Sequence, residues 1–72
     1  EIRQIQVPDR FVGRSVEEIE LRPKFGLNII ALTLKNNQET TIEISPNYRF
    51  NQDDVITVIG KIDNIDKFEK TL

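Results

Sequence analysis

The sequence predicts a small α+β domain in which an antiparallel or mixed sheet carries two short helices. The order of the local patterns is the first observation: they read strand, helix, strand, strand, strand, helix. The second observation is the position of residues that interrupt helices and strands: proline or glycine stands at residues 8, 23, 26, 46 and 60, close to where these segments end. The chain has 72 residues, which is enough for one such domain.

The first two elements occupy residues 1–21. An extended segment that includes Ile2, Ile5 and Val7 ends at Pro8 and is compatible with an edge strand. Residues 15–18 form the pattern S-x-x-E, in which a hydroxyl and a carboxylate satisfy the free backbone donors of a helix start. Because proline disfavours helical geometry in the residue before it, we expect this helix to end by about Leu21.

Three strands and a second helix follow. Residues 27–34 are apolar on both alternating faces, which predicts a central strand covered on both sides. A turn over 35–38 then joins it to a strand over 40–44, with Thr40, Ile42 and Ile44 inward, so that the two form a hairpin. Residues 55–59 predict another strand, closed by glycine. The last helix is capped by Asp63, and its apolar side consists of Ile65, Phe68 and Leu72.

Size and charge limit the classes of function. A chain this short buries a small core and has no cysteine for a disulfide, so dimerisation would help to stabilise it. Ten basic and twelve acidic residues are spread along the chain, which argues against nucleic-acid binding. No apolar run is long enough to span a bilayer, and we expect a cytoplasmic domain without membrane insertion. Since the sequence begins within a strand-like pattern, we expect an upstream domain.

Catalysis has little support in the residue types present. The chain contains no histidine and no cysteine, and we expect no enzyme activity. Adjacent Asp53 and Asp54 precede a strand and favour a structural role in a turn. Glu17 and Glu20 stand three residues apart on a helix and could contact a divalent cation, although capping and solvation explain them better.

Residues 19–31 are the most informative stretch. The simpler interpretation is a helix end, a turn and a core strand, with Arg22 and Lys24 solvated. The alternative is a purine-nucleotide pocket. In it the Arg22 guanidinium would bind phosphate through two N–H groups, and the Asn28 amide would bind the polar edge of a base or ribose. Asn28 shares a face of its strand with Ile30. In a symmetric dimer this set of residues would occur twice, which suits a two-fold symmetric ligand.

At these residues the chain resembles the C-terminal domain of RCK proteins (regulators of conductance of potassium), also called the TrkA-C domain. The resemblance covers residues 1–72, and it is carried by the motifs Phe11-Val12-Gly13-Arg14-Ser15-Val16-Glu17-Glu18-Ile19, Leu21-Arg22-Pro23-Lys24-Phe25-Gly26-Leu27-Asn28-Ile29-Ile30-Ala31, Pro46 through Phe50, and Asp54-Val55-Ile56-Thr57-Val58-Ile59-Gly60. The family often has a Gly-Asp pair before its last strand, where this chain has Gln52-Asp53-Asp54. Within this family, the sequence most resembles Ktr-type potassium-uptake regulatory subunits.

The resemblance implies a regulatory domain of a cytoplasmic potassium-transport gating subunit. It further implies an upstream Rossmann-like domain, a homodimer formed through this domain, an octameric ring in the full-length protein, and a membrane potassium-translocating partner. In the resembling subgroup the dimer interface binds cyclic di-AMP, a regulatory ligand that inactivates potassium uptake. Carried over to matching positions, Arg22 would face phosphate, Asn28 would hold a polar edge, and the adenine pockets would be lined by Ile19, Ile29, Ile30, Ala31 and Pro46. A dimerisation module without a nucleotide, or a cation sensor, are the alternatives.

Overall fold

A computed structural model describes residues 1–34 and 39–72. Its elements, in chain order, are β1 (Ile2–Gln6), a 3-10 helix (Asp9–Phe11), α1 (Val16–Ile19), α2 (Leu21–Phe25), β2 (Asn28–Leu34), β3 (Glu39–Thr41), β4 (Val55–Ile59) and α3 (Ile62–Glu69). The turn expected over residues 35–38 lies outside the described residues. Within the described ranges, no helix combines the length and the apolar character needed to cross a membrane.

The four strands form one sheet in the order β1-β4-β2-β3, and every neighbouring pair is antiparallel. The predicted α+β class with a small antiparallel sheet is therefore confirmed. As expected, β1 lies at an edge, β2 is an interior strand, and β2 and β3 form a hairpin. The pairing of β1 with β4 joins the two ends of the chain and closes the domain.

The core lies on one face of the sheet, beneath the helices. Phe68 of α3 contacts two other rings, with centroids 5.9 Å from Phe11 and 5.1 Å from Phe25. These rings join the 3-10 helix, α2 and α3 in one apolar cluster. The buried apolar residues are Ile5, Val7, Phe11, Ile19, Leu21, Leu27, Leu32, Phe50, Ile56, Val58, Ile65 and Phe68.

The predicted start of the first helix is confirmed. The Glu18 backbone N–H donates to Ser15 Oγ over 3.1 Å, and the Ser15 N–H donates to Glu18 Oε1 over 2.8 Å. The N–H groups of Val16 and Glu17 donate to the carbonyls of Tyr48 and Pro46, 2.9 and 3.0 Å away. The start of α1 is thus held both by its own side chains and by the segment that precedes β4.

The helix that begins at Val16 ends before Leu21, as predicted, but the expectation that Arg22 is not helical was wrong. α1 stops at Ile19, Glu20 adopts a left-handed conformation with φ of 51°, and α2 then continues through Arg22 and Pro23 to Phe25. The error arises because Pro23 lies in the first turn of α2, where a backbone N–H has no intrahelical partner to lose. Arg22 is consequently a helical residue, whereas the sequence placed it in a loop.

Two other boundaries also differ from the prediction. β3 ends at Thr41, whose Oγ1 accepts a hydrogen bond from the Glu43 N–H over 3.1 Å, so this local turn replaces the ladder. As a result Ile42 is 80% exposed; Thr40, within β3, is exposed as well, and Ile44 alone of the three expected inward residues packs against the core.

In α3 the cap is Lys61, and Asp63 lies inside the first turn, where a carboxylate favours the positive end of the helix. Ile65 and Phe68 are buried as predicted. Leu72, in contrast, is exposed, because the helix ends at Glu69.

The two aspartates before β4 have structural contacts, in line with the turn role expected for them. Asp54 is 2% exposed and accepts hydrogen bonds from the Tyr48 hydroxyl at 2.6 Å and from the Asn51 N–H at 2.9 Å. Asp53 has a φ of 72° and accepts from Gln6 Nε2 at 2.9 Å. A positive φ is the conformation that glycine adopts at little cost, and aspartate tolerates it better than most residues. The turn can therefore form here without a glycine.

Candidate functional site

An open cleft of about 420 Å³ lies between the α1–α2 segment, the beginning of β2 and the chain after β3. Its lining is largely apolar, with one cationic, one amide and two carboxylate side chains. The lining residues are Val16, Glu17, Glu20, Leu21, Arg22, Pro23, Leu27, Asn28, Ile29 and Ile44. We call this concavity the cleft.

The conformation of α2 places Arg22 at the cleft. Glu20 turns the chain between α1 and α2, and Gly26, with φ of 69°, ends α2 and donates its N–H to the Arg22 carbonyl over 2.9 Å. A side chain at Gly26 would be strained by this φ, and its Cβ would lie 2.8 Å from Asn64 Nδ2 of α3. The turn at Gly26 therefore connects α2, which carries Arg22, directly to β2, whose first residue is Asn28.

The guanidinium of Arg22 is available to a ligand. Its side chain is exposed, and within residues 1–34 and 39–72 no hydrogen bond or ion pair engages it. The neighbouring carboxylate of Glu20 lies 3.9 Å from Lys24 Nζ, a distance at which an exposed ion pair contributes little. Arg22 therefore retains its full set of donors for an anionic group.

Asn28 and Ile29 line the cleft from β2. Asn28 pairs with Ile59 and Ile29 pairs with Val58, so the two side chains lie on opposite faces of the sheet. A bulge between Ile29 and Ala31 then shifts the register, so that Ala31 pairs with Thr57. The strict alternation that the sequence suggested is broken at Ile30, which is the extra residue and is exposed.

The other predicted ligand residues do not line the cleft. Ile30 and Ala31 lie beyond it along β2, and Ile19 is 5% exposed in the core. Pro46 is exposed, and its carbonyl accepts the Glu17 N–H at 3.0 Å. Pro46 thus contacts the backbone of a lining residue. Of the seven residues predicted from the resemblance, the structure brings Arg22, Asn28 and Ile29 together.

Several lining residues were not identified as site residues from the sequence. Val16, Leu21 and Leu27 have the pattern of core residues, and Ile44 was assigned to a strand; nothing local distinguishes a core residue from one that also borders a cleft. Glu17 and Glu20 were noted from the sequence as a pair on one helix face, but the helix ends at Ile19 and Glu20 reaches the cleft through the left-handed turn. The structure places both at the cleft.

The cleft offers a ligand apolar surface, one cation, one amide and two carboxylates. Among the described residues, no group of three or more carboxylates is arranged to hold a metal ion. Clear pKa shifts occur elsewhere in the chain. The pKa of Glu18 is lowered, first because the Ser15 N–H donates to its carboxylate. Burial, together with the hydrogen bond to Asp54, raises the pKa of Tyr48 to about 12.

Comparison with known proteins extends over almost the whole chain. A family model described as the TrkA-C domain matches residues 2–72. The Ktr system potassium uptake protein C of Bacillus subtilis (strain 168) is 30% identical over 67 residues, which make up 93% of this chain and 29% of that protein. The chain thus spans less than a third of the length of this relative.

Two solved structures have the same fold. One is the RCK C domain of the potassium transport protein KtrA in complex with cyclic diadenosine monophosphate; it superposes with a TM-score of 0.91 at 26% identity, over 100% of this chain and 82% of that chain. The other is the RCK_C domain dimer of S. agalactiae BusR in complex with c-di-AMP, with a TM-score of 0.80 at 18% identity, over 96% of this chain and 85% of that chain. The second likeness shows the fold alone.

The family model covers the four motifs on which the resemblance rested, and the observed sheet and helices are those of the matched RCK C domain. The prediction of the family from the sequence is confirmed. This chain belongs to the TrkA-C domain family, also known as the RCK C-terminal domain.

Proposed function

We propose that this chain is the ligand-sensing regulatory domain of a cytoplasmic potassium-transport gating subunit, and that it binds cyclic di-AMP at a symmetric interface between two copies. One observation carries the proposal. The cleft brings Arg22, Asn28 and Ile29 together in a domain that superposes over its whole length on an RCK C domain solved with this ligand. The domain would act without catalysis, as part of a ring that docks on a membrane potassium-translocating subunit.

The residues of the cleft match the chemistry of the ligand. Arg22, whose guanidinium has no hydrogen bond or ion pair among the described residues, can form charge-assisted hydrogen bonds to a phosphodiester. The Asn28 amide can both donate to and accept from the edge of a base. Ile29 and the other aliphatic residues of the lining can cover a purine ring. In this arrangement Pro46 positions Glu17 through its carbonyl, which accepts the Glu17 N–H.

The exposed face of the sheet supports an interface beside the cleft. Ile2 pairs with Ile59, and Ile59 pairs with Asn28, so these three side chains form a row across β1, β4 and β2. Ile2 and Ile59 are both exposed, as is Ile30 nearby. A second chain that covered this row would bury apolar surface and would bring its own Asn28 towards the first.

Regulation would follow from a difference in affinity between two arrangements of the dimer. A ligand that binds one arrangement more tightly shifts the population towards it and requires no reaction. In the proposed function the arrangement that binds the ligand inactivates potassium uptake by the attached transporter.

The test is isothermal titration calorimetry of this chain with cyclic di-AMP, with the linear dinucleotide as the control ligand. We expect saturable binding of one cyclic di-AMP per two chains. Arg22→Ala should weaken binding by about 1.5–3 kcal/mol, because a charge-assisted hydrogen bond is lost. This corresponds to roughly a tenfold to 150-fold increase in Kd. Lys61→Gln removes one charge at the cap of α3, outside the cleft, and should leave the Kd unchanged.

The alternatives predict different results. A dimeric chain that gives neither binding heat nor a thermal shift with cyclic di-AMP would be an assembly module. A melting temperature that rises with a divalent cation, and loses this rise in Glu17→Gln, would indicate a cation sensor. Unchanged cyclic di-AMP affinity in Arg22→Ala would remove this residue from the site.

A further inference from the structure

A second, smaller concavity shares no lining residue with the cleft. It has a volume of about 180 Å³ and is lined by Arg10, Phe11, Arg14, Glu18, Ile19 and Lys24. Three of these six side chains are cationic and one is anionic, in a chain whose net charge is −2. We call this concavity the basic pocket. The proposed function uses none of its charged side chains.

The floor of the basic pocket is rigid and apolar. Phe11 is 6% exposed and Ile19 is 5% exposed, so both are anchored in the core. The Arg10 guanidinium lies 5.2 Å from the centre of the Phe11 ring. The same guanidinium donates to the Thr71 carbonyl oxygen, and to Thr71 Oγ1 over 2.6 Å. Since arginine has five N–H donors and these contacts use two, Arg10 is a fixed cation with donors still free.

The other two cations have little compensation. Within the described parts of the chain, no hydrogen bond or ion pair engages the Arg14 side chain, although its charge acts on the Glu18 carboxylate and helps to lower the pKa of that group. Lys24 Nζ lies 3.9 Å from Glu20, at the limit of an ion pair. Both side chains can therefore reorient towards a bound anion at small cost.

The single carboxylate of the pocket is already engaged. Glu18 Oε1 accepts the Ser15 N–H at 2.8 Å and lies 3.2 Å from Arg49 Nη1. Its negative charge is thus used for helix capping and for an ion pair outside the pocket. The positive charges that line the pocket exceed what its own carboxylate can neutralise.

We propose that the basic pocket binds a phosphate-sized oxyanion between Arg10, Arg14 and Lys24. Arginine presents N–H donors in a planar fork that matches two oxygens of one anion, and lysine adds a mobile point charge. The apolar floor excludes water from one side, which strengthens these interactions relative to an open surface. The basic pocket and the cleft have no lining residue in common.

The experiment is a titration of the ¹⁵N-labelled chain with sodium phosphate, followed by NMR, against sodium chloride at matched ionic strength. We expect saturating shifts of the Phe11, Arg14 and Lys24 amides and of the Arg14 Nε–H with phosphate, and small linear shifts with chloride. Arg14→Gln should weaken the apparent phosphate affinity by about fivefold, the size expected of one exposed ion pair. Lys61→Gln removes an equal charge at the far end of α3 and should have no effect.

The outcomes separate specific binding from general screening. Equal shifts with phosphate and chloride, or equal effects of Arg14→Gln and Lys61→Gln, would overturn the proposal. A further titration with sodium acetate tells whether the site prefers phosphate or a carboxylate. Saturation by acetate alone would also overturn the assignment of phosphate.

Discussion

Gly60 follows the last residue of β4 and packs against Leu27, which lines the cleft. Replacement of Gly60 by alanine tests this packing. A Cβ atom at Gly60 would lie 2.6 Å from Leu27 Cδ2 and 3.1 Å from the Gly26 carbonyl oxygen. Leu27 is 0% exposed, so its side chain could yield only towards the cleft, and the Gly26 carbonyl oxygen belongs to the backbone and cannot move aside as a side chain can. The close approach of β4 to the start of β2 thus depends on the absence of a side chain.

Two opposing effects decide the size of the change. Because Gly60 does not have a positive φ, alanine is allowed there, and it would stabilise the protein by about 0.4–1 kcal/mol through the unfolded state. Overpacking against Leu27 and the Gly26 backbone costs about 1–3 kcal/mol. The overpacking is larger, so we expect Gly60→Ala to lower the free energy of unfolding by about 1–2 kcal/mol. For a domain of this size, that corresponds to a Tm lower by roughly 5–15 °C.

The measurement is thermal and urea unfolding followed by circular dichroism, with two controls. Gly13 has a φ of 83° and no atom within 4 Å of an added Cβ, so Gly13→Ala reports backbone strain without a clash. In a Leu27→Val background the clash at Gly60 is relieved, and Gly60→Ala should cost less there, whereas the cost of Gly13→Ala should not change. If Gly60→Ala is equally destabilising in both backgrounds, the contact with Leu27 is not the cause.

Two further predictions concern pH. Tyr48 is the single tyrosine, and its folded pKa of about 12 lies above the ordinary value of 10.0, so its contribution to stability is complete below pH 10 and is lost as pH rises towards 12. Tyr48→Phe should remove this alkaline loss, and tyrosinate absorbance of the folded wild type should rise with a midpoint near pH 12, so a transition centred at 10 would contradict the assignment. The folded pKa of Glu18 is lowered from 4.5, so its contribution is present above about pH 4.5 and is lost as pH falls through the folded pKa. Glu18→Gln should flatten this acid dependence of Tm, and an unchanged profile would show that the hydrogen bond from Ser15 is not formed in solution.

The elements that the sequence predicted well are those specified by local chemistry. The capping residues Ser15 and Glu18 are three residues apart and satisfy each other without help from the rest of the chain. The strands over residues 28–34 and 55–59 have the apolar runs expected of interior strands. Gly60 marks the end of β4, as predicted. Family membership could be predicted for the same reason, because its motifs are contiguous.

The errors in the predicted elements lie where long-range packing overrides a local preference. Arg22 is helical although a proline follows it, because the left-handed turn at Glu20 allows a second helix to begin at Leu21 with Pro23 in its first turn. The bulge at Ile30 is invisible in an apolar run, because it is defined by pairing with β4, about 28 residues away in the chain. The end of β3 at Thr41 left Ile42 exposed, although its pattern alone favoured burial.

The sequence by itself therefore determined the class of the domain, its family and the residue types available to a ligand, among them Arg22 and Asn28. Only the tertiary structure decided which residues meet at the cleft. It places Val16 and Ile44, which are far apart in the sequence, in the same lining, and it buries Ile19 in the core. It also brought Arg10, Arg14 and Lys24 together around Phe11, although nothing in their spacing indicates a common pocket. The physical reason is that helix caps and strand patterns depend on neighbouring residues, whereas a concave site depends on how separate segments pack.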